Sequence, residues 1–266
     1  MTNNFDAEAA KRILYEDNIN VTEPNHLKDL VQILLNLILI ILCIYLLIYT
    51  LSGAVLMSLS PEKQVMVENF ISPKLNTEVV NISKEEQSRI NKVKQKILKV
   101  DYKFPKTSNM DIKVINNKQL NALCYPNGNI YITSELFKYL DDDEKLTFVI
   151  AHEMGHYKHK DHLLNLRRNI SNDVILILIS FASPENASVS RSVEDGLNIV
   201  DLKYSRGVEE KADIYAIRIM NAIYGNAKAG VEVMKTLKDK NKFDIEFLST
   251  HPNIDKRIKT IEKYSK

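Results

Sequence analysis

From Val31 through Pro61 the chain carries no charged residue, and this run restricts its surroundings more than any other feature. Its heart, Ile33 to Leu51, is almost entirely leucine and isoleucine. At about 1.5 Å rise per residue, some 20 residues cross a hydrocarbon core of about 30 Å. A secretory leader has a shorter apolar region after a basic start. Here a polar, acidic stretch precedes a longer run, which predicts one uncleaved transmembrane helix. Helices in a soluble core rarely go so long without charge on every face. Lys11, Arg12 and Lys28 before the run and Lys63 and Lys74 after it differ too little for flanking charge to set the orientation. A second apolar stretch, Val174 to Ala182, is too short to span. It reads as a buried helix of the soluble part, with shallow membrane contact as the alternative.

Whole-chain averages conceal this division. Of 266 residues 45% are hydrophobic, and 36 Lys+Arg against 34 Asp+Glu leave a formal charge of +2. That balance excludes a nucleic-acid footprint, which needs a strongly basic face. Two cysteines make neither a disulfide framework nor a cysteine zinc site. Seven glycines and seven prolines exclude low-complexity chains and favour long helices.

The expected order is a polar arm (1–30), the anchor (31–61), a helical linker region (62–110) and a catalytic domain (111–266). Ser83-Lys-Glu-Glu86 has the form of a capping box opening a helix to about Val100. Asp111–Ile115, Leu120–Tyr125 and Asn129–Thr133 alternate like short strands, with Pro126-Asn-Gly-Asn129 as a turn. Helical periodicity returns at Ser134. Ser183–Asn198 is polar and serine-rich and reads as a mobile loop, placed to act as a lid. The fold class is therefore α+β and mainly helical, with a small antiparallel sheet behind one transmembrane helix.

Chemistry concentrates in His152-Glu-Met-Gly-His156. Histidines four apart share a helix face, so both imidazoles reach one tetrahedral metal with Glu153 alongside as general base. A catalytic zinc takes three protein ligands and keeps a fourth position open. On a helical wheel through Tyr204–Met220, Glu209 falls in the middle of the face made by Ala212, Ala216, Ile219 and Met220, with Glu210 on its border. A carboxylate there needs a strong partner. Zinc is the reading for Glu209, and a salt bridge to a core arginine is the alternative. Asp213, on the same face, would hold a zinc histidine by its other ring nitrogen. His159 and His162 turn away from the ligand face and read as surface residues; Asp161 could brace the helix end.

These residues resemble the membrane-associated zinc metallopeptidase family that includes HtpX, Oma-type and CAAX-prenyl proteases. The likeness covers roughly Leu120 to Arg257 in four blocks: Asn121–Ile130, His152–His156, Ser205–Asp213, and Ser249-Thr-His-Pro252 with Arg257. It implies a zincin-like domain with one zinc per chain on His152, His156 and Glu209. His251 is then the candidate oxyanion donor and Arg257 an anchor for the His251 loop. Asn121, Ala122 and Leu123 form an edge strand that pairs with extended substrate. The family implies a membrane-anchored metalloendopeptidase acting on protein or peptide substrates, unfolded or membrane-associated, in membrane or envelope quality control. A narrow processing protease and a non-catalytic zinc-stabilised chaperone or binding module are the alternatives. The multi-span core of the prenyl proteases is absent, which argues against prenyl-protein processing. The partners expected are substrate and lipid bilayer, and the extracytoplasmic side is favoured because compact single-span relatives commonly face outward.

Overall fold

The computed structural model describes residues 26–60, 62–64, 66–67, 78–105, 110–125, 127–182, 207–240, 251 and 253–266, with the backbone alone at 179–182. Most of the expected arm, the loop Ser183–Asn198, Pro126 and the neighbours of His251 in its block lie outside these residues. The chain divides into two units, residues 1–47 and 48–266.

Helix α1 runs from His26 to Ser58. It is long and apolar enough to cross a membrane, and none of its most apolar stretch is buried within the protein. Only Gly53 and Leu56, near its end, are buried. The second unit opens with α2, Lys84–Val100. Its start is the capping box seen in the sequence: Glu86 N donates to Ser83 Oγ at 3.1 Å, and Ser83 N donates to Glu86 Oε2 at 2.8 Å. Ile90, Val93 and Ile97 recur three to four apart and turn one stripe of α2 into the core.

Three short strands follow: β1 (Ile112–Ile115), β2 (Ala122–Cys124) and β3 (Ile130–Thr133). Their order is β1-β3-β2, so β3, with Ile130 and Ile132 fully buried, is central. The sheet is mixed, which corrects the antiparallel expectation: β2 runs antiparallel to β3, but β1 runs parallel to it. The exits of the two parallel strands meet at Ser134. Its hydroxyl donates to the Asn117 carbonyl at 3.0 Å, tying the exit of β1 to the exit of β3 at one level. The outer edge of β1 is covered by Val79, leaving β2 as the other edge.

The remaining described elements are helices: α3 (Ser134–Phe137), α4 (Asp143–His159), α5 (Asp161–Ala182), α6 over 207–224, α7 (Lys228–Lys240) and α8 (Ile254–Tyr264). α4 is the hub. It packs on α2, α7 and β2, and every residue from Leu146 to Gly155 is buried. A helix apolar on all sides belongs in a core, so the polar side chains on α4 need partners inside the protein.

Candidate active site

The start of α4 is fixed by Asp142, whose side chain accepts from Lys145 N at 2.7 Å, with Asp143 and Glu144 in the first turn to complement the helix dipole. Two turns on, His152 and Glu153 are buried. Gly155 matters through what it lacks: a Cβ there would lie 3.1 Å from Ala212 Cα. α6 can therefore approach α4 backbone to backbone, and Glu209, one turn before Ala212, reaches the histidines.

His152 Nε2 and His156 Nε2 lie 3.1 Å apart. Glu209 places Oε2 3.3 Å from the first and Oε1 3.3 Å from the second. A zinc ion with bonds of about 2.0–2.1 Å in tetrahedral geometry holds its ligands about 3.3–3.4 Å apart. The two imidazole nitrogens, and each of them with one Glu209 oxygen, thus already stand at about that spacing. Glu153 and His251 lie beside it, and one ligand atom from each of His152, Glu153, His156 and His251 falls within 4.8 Å of the others.

The other nitrogens of both histidines are held. Asp213 Oδ1 is 3.1 Å from His152 Nδ1, and Asp161 Oδ2 is 3.0 Å from His156 Nδ1. A carboxylate on Nδ1 fixes the tautomer that presents Nε2 to a metal. The Asp213 contact is the one expected from the wheel. Asp161 does more than brace a helix end, and helical periodicity could not find it. α4 ends at His159, and Lys160 turns the chain at φ 58. The signal available was an acid just beyond a helix that stops within a turn of its second histidine.

Charge balance makes the same case for a cation. Glu153, Asp161, Glu209 and Asp213 are each at most 3% exposed. Among the described residues Arg257 is the one permanent cation facing them. Its Nε and Nη2 donate to Asp213 at 2.9 and 2.8 Å, and Nη1 lies 2.8 Å from Glu209 Oε2. The salt bridge weighed as an alternative for Glu209 is therefore present together with the histidine contacts. Burial opposes a charged Glu209, yet His251 and Arg257 hold its pKa well below the usual carboxylate value. Burial likewise opposes a charged His156, but Glu209 and Asp161 carry its pKa well above that of a free imidazole. The pocket is short of positive charge, and a dication matches its donor set.

His251 Nδ1 is 3.0 Å from Glu209 Oε2, and its Nε2 is 3.9 Å from Glu153 Oε1 and 3.4 Å from the Ala122 carbonyl. Arg257 reaches α6 and the His152 ring, and its carboxylate partners belong to α6. On the β2 edge, Asn121 bonds inward: its carbonyl accepts from Thr133 N at 2.9 Å. Its side-chain oxygen accepts from Ala122 N at 2.9 Å. Leu123 faces Tyr131 across the ladder. Glu210 lies outside the cluster, paired with Lys256 at 3.0 Å. His159 is exposed, as expected, but His162 is not a surface residue. Its ring stacks on Tyr157 at 5.8 Å between centroids, and burial lowers its pKa to about 4. The turn at Lys160 directs this face of α5 back onto α4.

Two histidines four apart on a buried helix, with an acidic donor facing them from a second helix, define the zincin class of metallopeptidase architecture. Residues 83–265 match the sequence profile of peptidase family M48, and the chain belongs to that family. It is similar to the beta-barrel assembly-enhancing protease of Yersinia pestis, with 27% identity over 161 residues, 54% of this chain and 32% of that protein. It is similar to the mitochondrial metalloendopeptidase OMA1 of Saccharomyces cerevisiae, with 24% identity over 192 residues, 66% of this chain and 55% of that protein. A protease HtpX homolog of Helicobacter pylori shares 25% identity over 236 residues, 75% of this chain and 76% of that protein. The chain thus spans from about a third to about half of the first two relatives.

Proposed function

We propose that this chain is a membrane-anchored zinc metalloendopeptidase that hydrolyses peptide bonds in unfolded or membrane-associated proteins. The observation that carries the reading is the convergence of His152 and His156, whose Nε2 atoms lie 3.1 Å apart, with the Glu209 carboxylate, whose Oε2 is 3.3 Å from the first and whose Oε1 is 3.3 Å from the second. His152, His156 and Glu209 would hold the zinc, which would supply Lewis acidity for the scissile carbonyl and for the attacking water. Glu153 takes the proton from that water as general base and delivers it to the leaving amine. His251, across the cluster from Glu153, directs Nε2 toward the reacting centre and donates to the developing oxyanion. Asp213 and Asp161 hold the ligand histidines in register. Arg257 keeps Asp213 and Glu209 in place and lines the same crevice as His152, Glu153 and His251.

Substrate adds to the β2 edge as an extended strand, gaining main-chain hydrogen bonds with little demand on sequence. Ala122, Leu136, Phe148, Val149, Val233 and Met234 line a narrow apolar crevice that opens onto His152, Glu153 and His251. It favours an apolar side chain next to the cleaved bond. The anchor α1 keeps the cleft near a bilayer, and this tethering together with the relatives' names supports a role in membrane or envelope protein quality control. Glu153→Gln tests the mechanism. The purified variant should retain its zinc and lose hydrolysis of an unfolded protein such as casein; undiminished cleavage would overturn the general-base role.

A further inference from the structure

The sequence suggested that Val174–Ala182 is buried in the soluble part. The structure differs: Ile177 is 54% exposed and Leu178 44% exposed on α5, although Ser171 and Ile175 on its other side are buried. Past Asp173 the helix carries no charge to its end at Ala182. The opposite half of α5 is polar, and its Arg167 meets α1. The guanidinium lies 3.5 Å from the centroid of the Tyr49 ring, and Nε donates to the Tyr49 carbonyl. Gly53 makes room for this crossing, since a Cβ there would meet Arg167 Nε at 2.6 Å.

Tyr49 and Gly53 belong to the uncharged run. An arginine is costly inside hydrocarbon, and arginine and tyrosine together are found where the hydrocarbon meets the headgroups. Arg167 therefore sets a waterline on α5, and an exposed apolar face continues beyond it. We infer that the second half of α5 is a membrane-contacting element, with Ile177 and Leu178 immersed in the bilayer. This rests on the anchored reading above.

The occupant of that face is lipid because α5 meets the uncharged run at Arg167 and continues past that point without a charge after Asp173. Nine residues from Val174 to Ala182 rise about 13 Å, enough to dip into one leaflet and too little to cross. One continuous helix then joins the bilayer to the active site: it begins at Asp161, which holds His156, and ends in lipid.

The chain contains no tryptophan, so single-tryptophan variants of the full chain report on the position directly. Leu178→Trp, Leu39→Trp in the heart of α1 and Tyr102→Trp, at a site 72% exposed, would be reconstituted in phosphatidylcholine vesicles with or without brominated acyl chains. The expected result is that brominated lipid quenches Leu178→Trp to the same degree as Leu39→Trp and leaves Tyr102→Trp bright. If Leu39→Trp is quenched while Leu178→Trp responds only to aqueous acrylamide, the α5 inference fails and the anchor stands. Quenching of Leu178→Trp by neither agent means that protein covers the face, which also overturns it. If Leu39→Trp itself is not quenched, the anchored reading fails first.

Discussion

Asp161→Ala should weaken zinc binding without unfolding the protein. Asp161 Oδ2 is 3.0 Å from His156 Nδ1, and the residue is 3% exposed, so water is poorly placed to replace it. Carboxylates in this position are worth about 10–100-fold in metal affinity, or about 1.4–2.7 kcal/mol. Asp213 makes a similar contact with His152, at 3.1 Å, but it also anchors Arg257 through two hydrogen bonds. Its removal would mix loss of metal with loss of structure. Asp161 has no such second duty beyond the first turn of α5, where an acid contributes about 0.3–1 kcal/mol through the helix dipole. Competition with a chromophoric chelator at fixed neutral pH measures the affinity, and denaturant unfolding of the metal-free protein measures the fold. Asp161→Asn keeps an oxygen acceptor and loses the charge, so it should fall at the mild end of the range. Zinc affinity of Asp161→Ala within about twofold of the parent protein would refute the reasoning, and Asp161 would be left as a helix brace alone.

Glu209→Ala should lose zinc outright while Glu210→Ala, whose partner Lys256 is exposed, keeps it; metal content of the purified variants decides, and the reverse result overturns the ligand assignment. Gly155→Ala should cost about 1–3 kcal/mol and reduce zinc affinity, because the new methyl meets the Ala212 backbone at 3.1 Å and Tyr215 Cδ1 at 3.2 Å; a variant with unchanged midpoint and metal content would show that α6 does not need this approach. Asp101 gives a pH dependence remote from the metal. Burial pushes its carboxyl up, but the Lys158 ammonium and the Tyr215 hydroxyl, at 2.8 Å, outweigh burial and hold its pKa below the usual value. Because the folded pKa is depressed, this stabilisation is present above the unfolded value of about 3.9 and lost as pH falls through the folded one. Asp101→Asn should therefore be about 1 kcal/mol less stable at neutral pH, and the gap should close in acid below about pH 4; a gap constant across that range refutes the assignment.

The parts of the site visible in the sequence are those governed by a helix period. His152 and His156 are four apart, and Glu209 was conspicuous as a carboxylate centred on an apolar face. Asp213 follows one turn later. Asp161 obeys no period, because Lys160 at φ 58 breaks the helix between it and the histidines. Strand direction was hidden for a related reason. Alternation identifies a strand and its buried face, but not the direction in which it pairs, and β1 runs parallel to β3. On α5, a nine-residue stretch that is apolar but for Ser180 looks the same whether it faces core or lipid. Only the exposure of Ile177 and Leu178 separates the two.

The distribution of charge shows why the last helix of the chain belongs to the site. Glu209 and Asp213 both point from α6 into a space where water is excluded, and two uncompensated carboxylates there would cost several kcal/mol each. A bound dication relieves Glu209, but Asp213 stands behind His152 and needs its own counter-charge. Arg257 supplies it from α8, with two near-parallel bonds of 2.9 and 2.8 Å to Asp213 and a third contact of 2.8 Å to Glu209. A planar fork can serve both carboxylates at once, whereas a lysine offers a single point of charge. The surface pairs of this region, Lys238 with Asp255 and Lys256 with Glu210, are exposed and add little. The docking of α8 against α7 and the registry of the His152 and Glu209 side chains on α4 and α6 are thus coupled through one buried guanidinium. A helix far from the His152–His156 motif in sequence thereby helps to hold Glu209 against the two histidines.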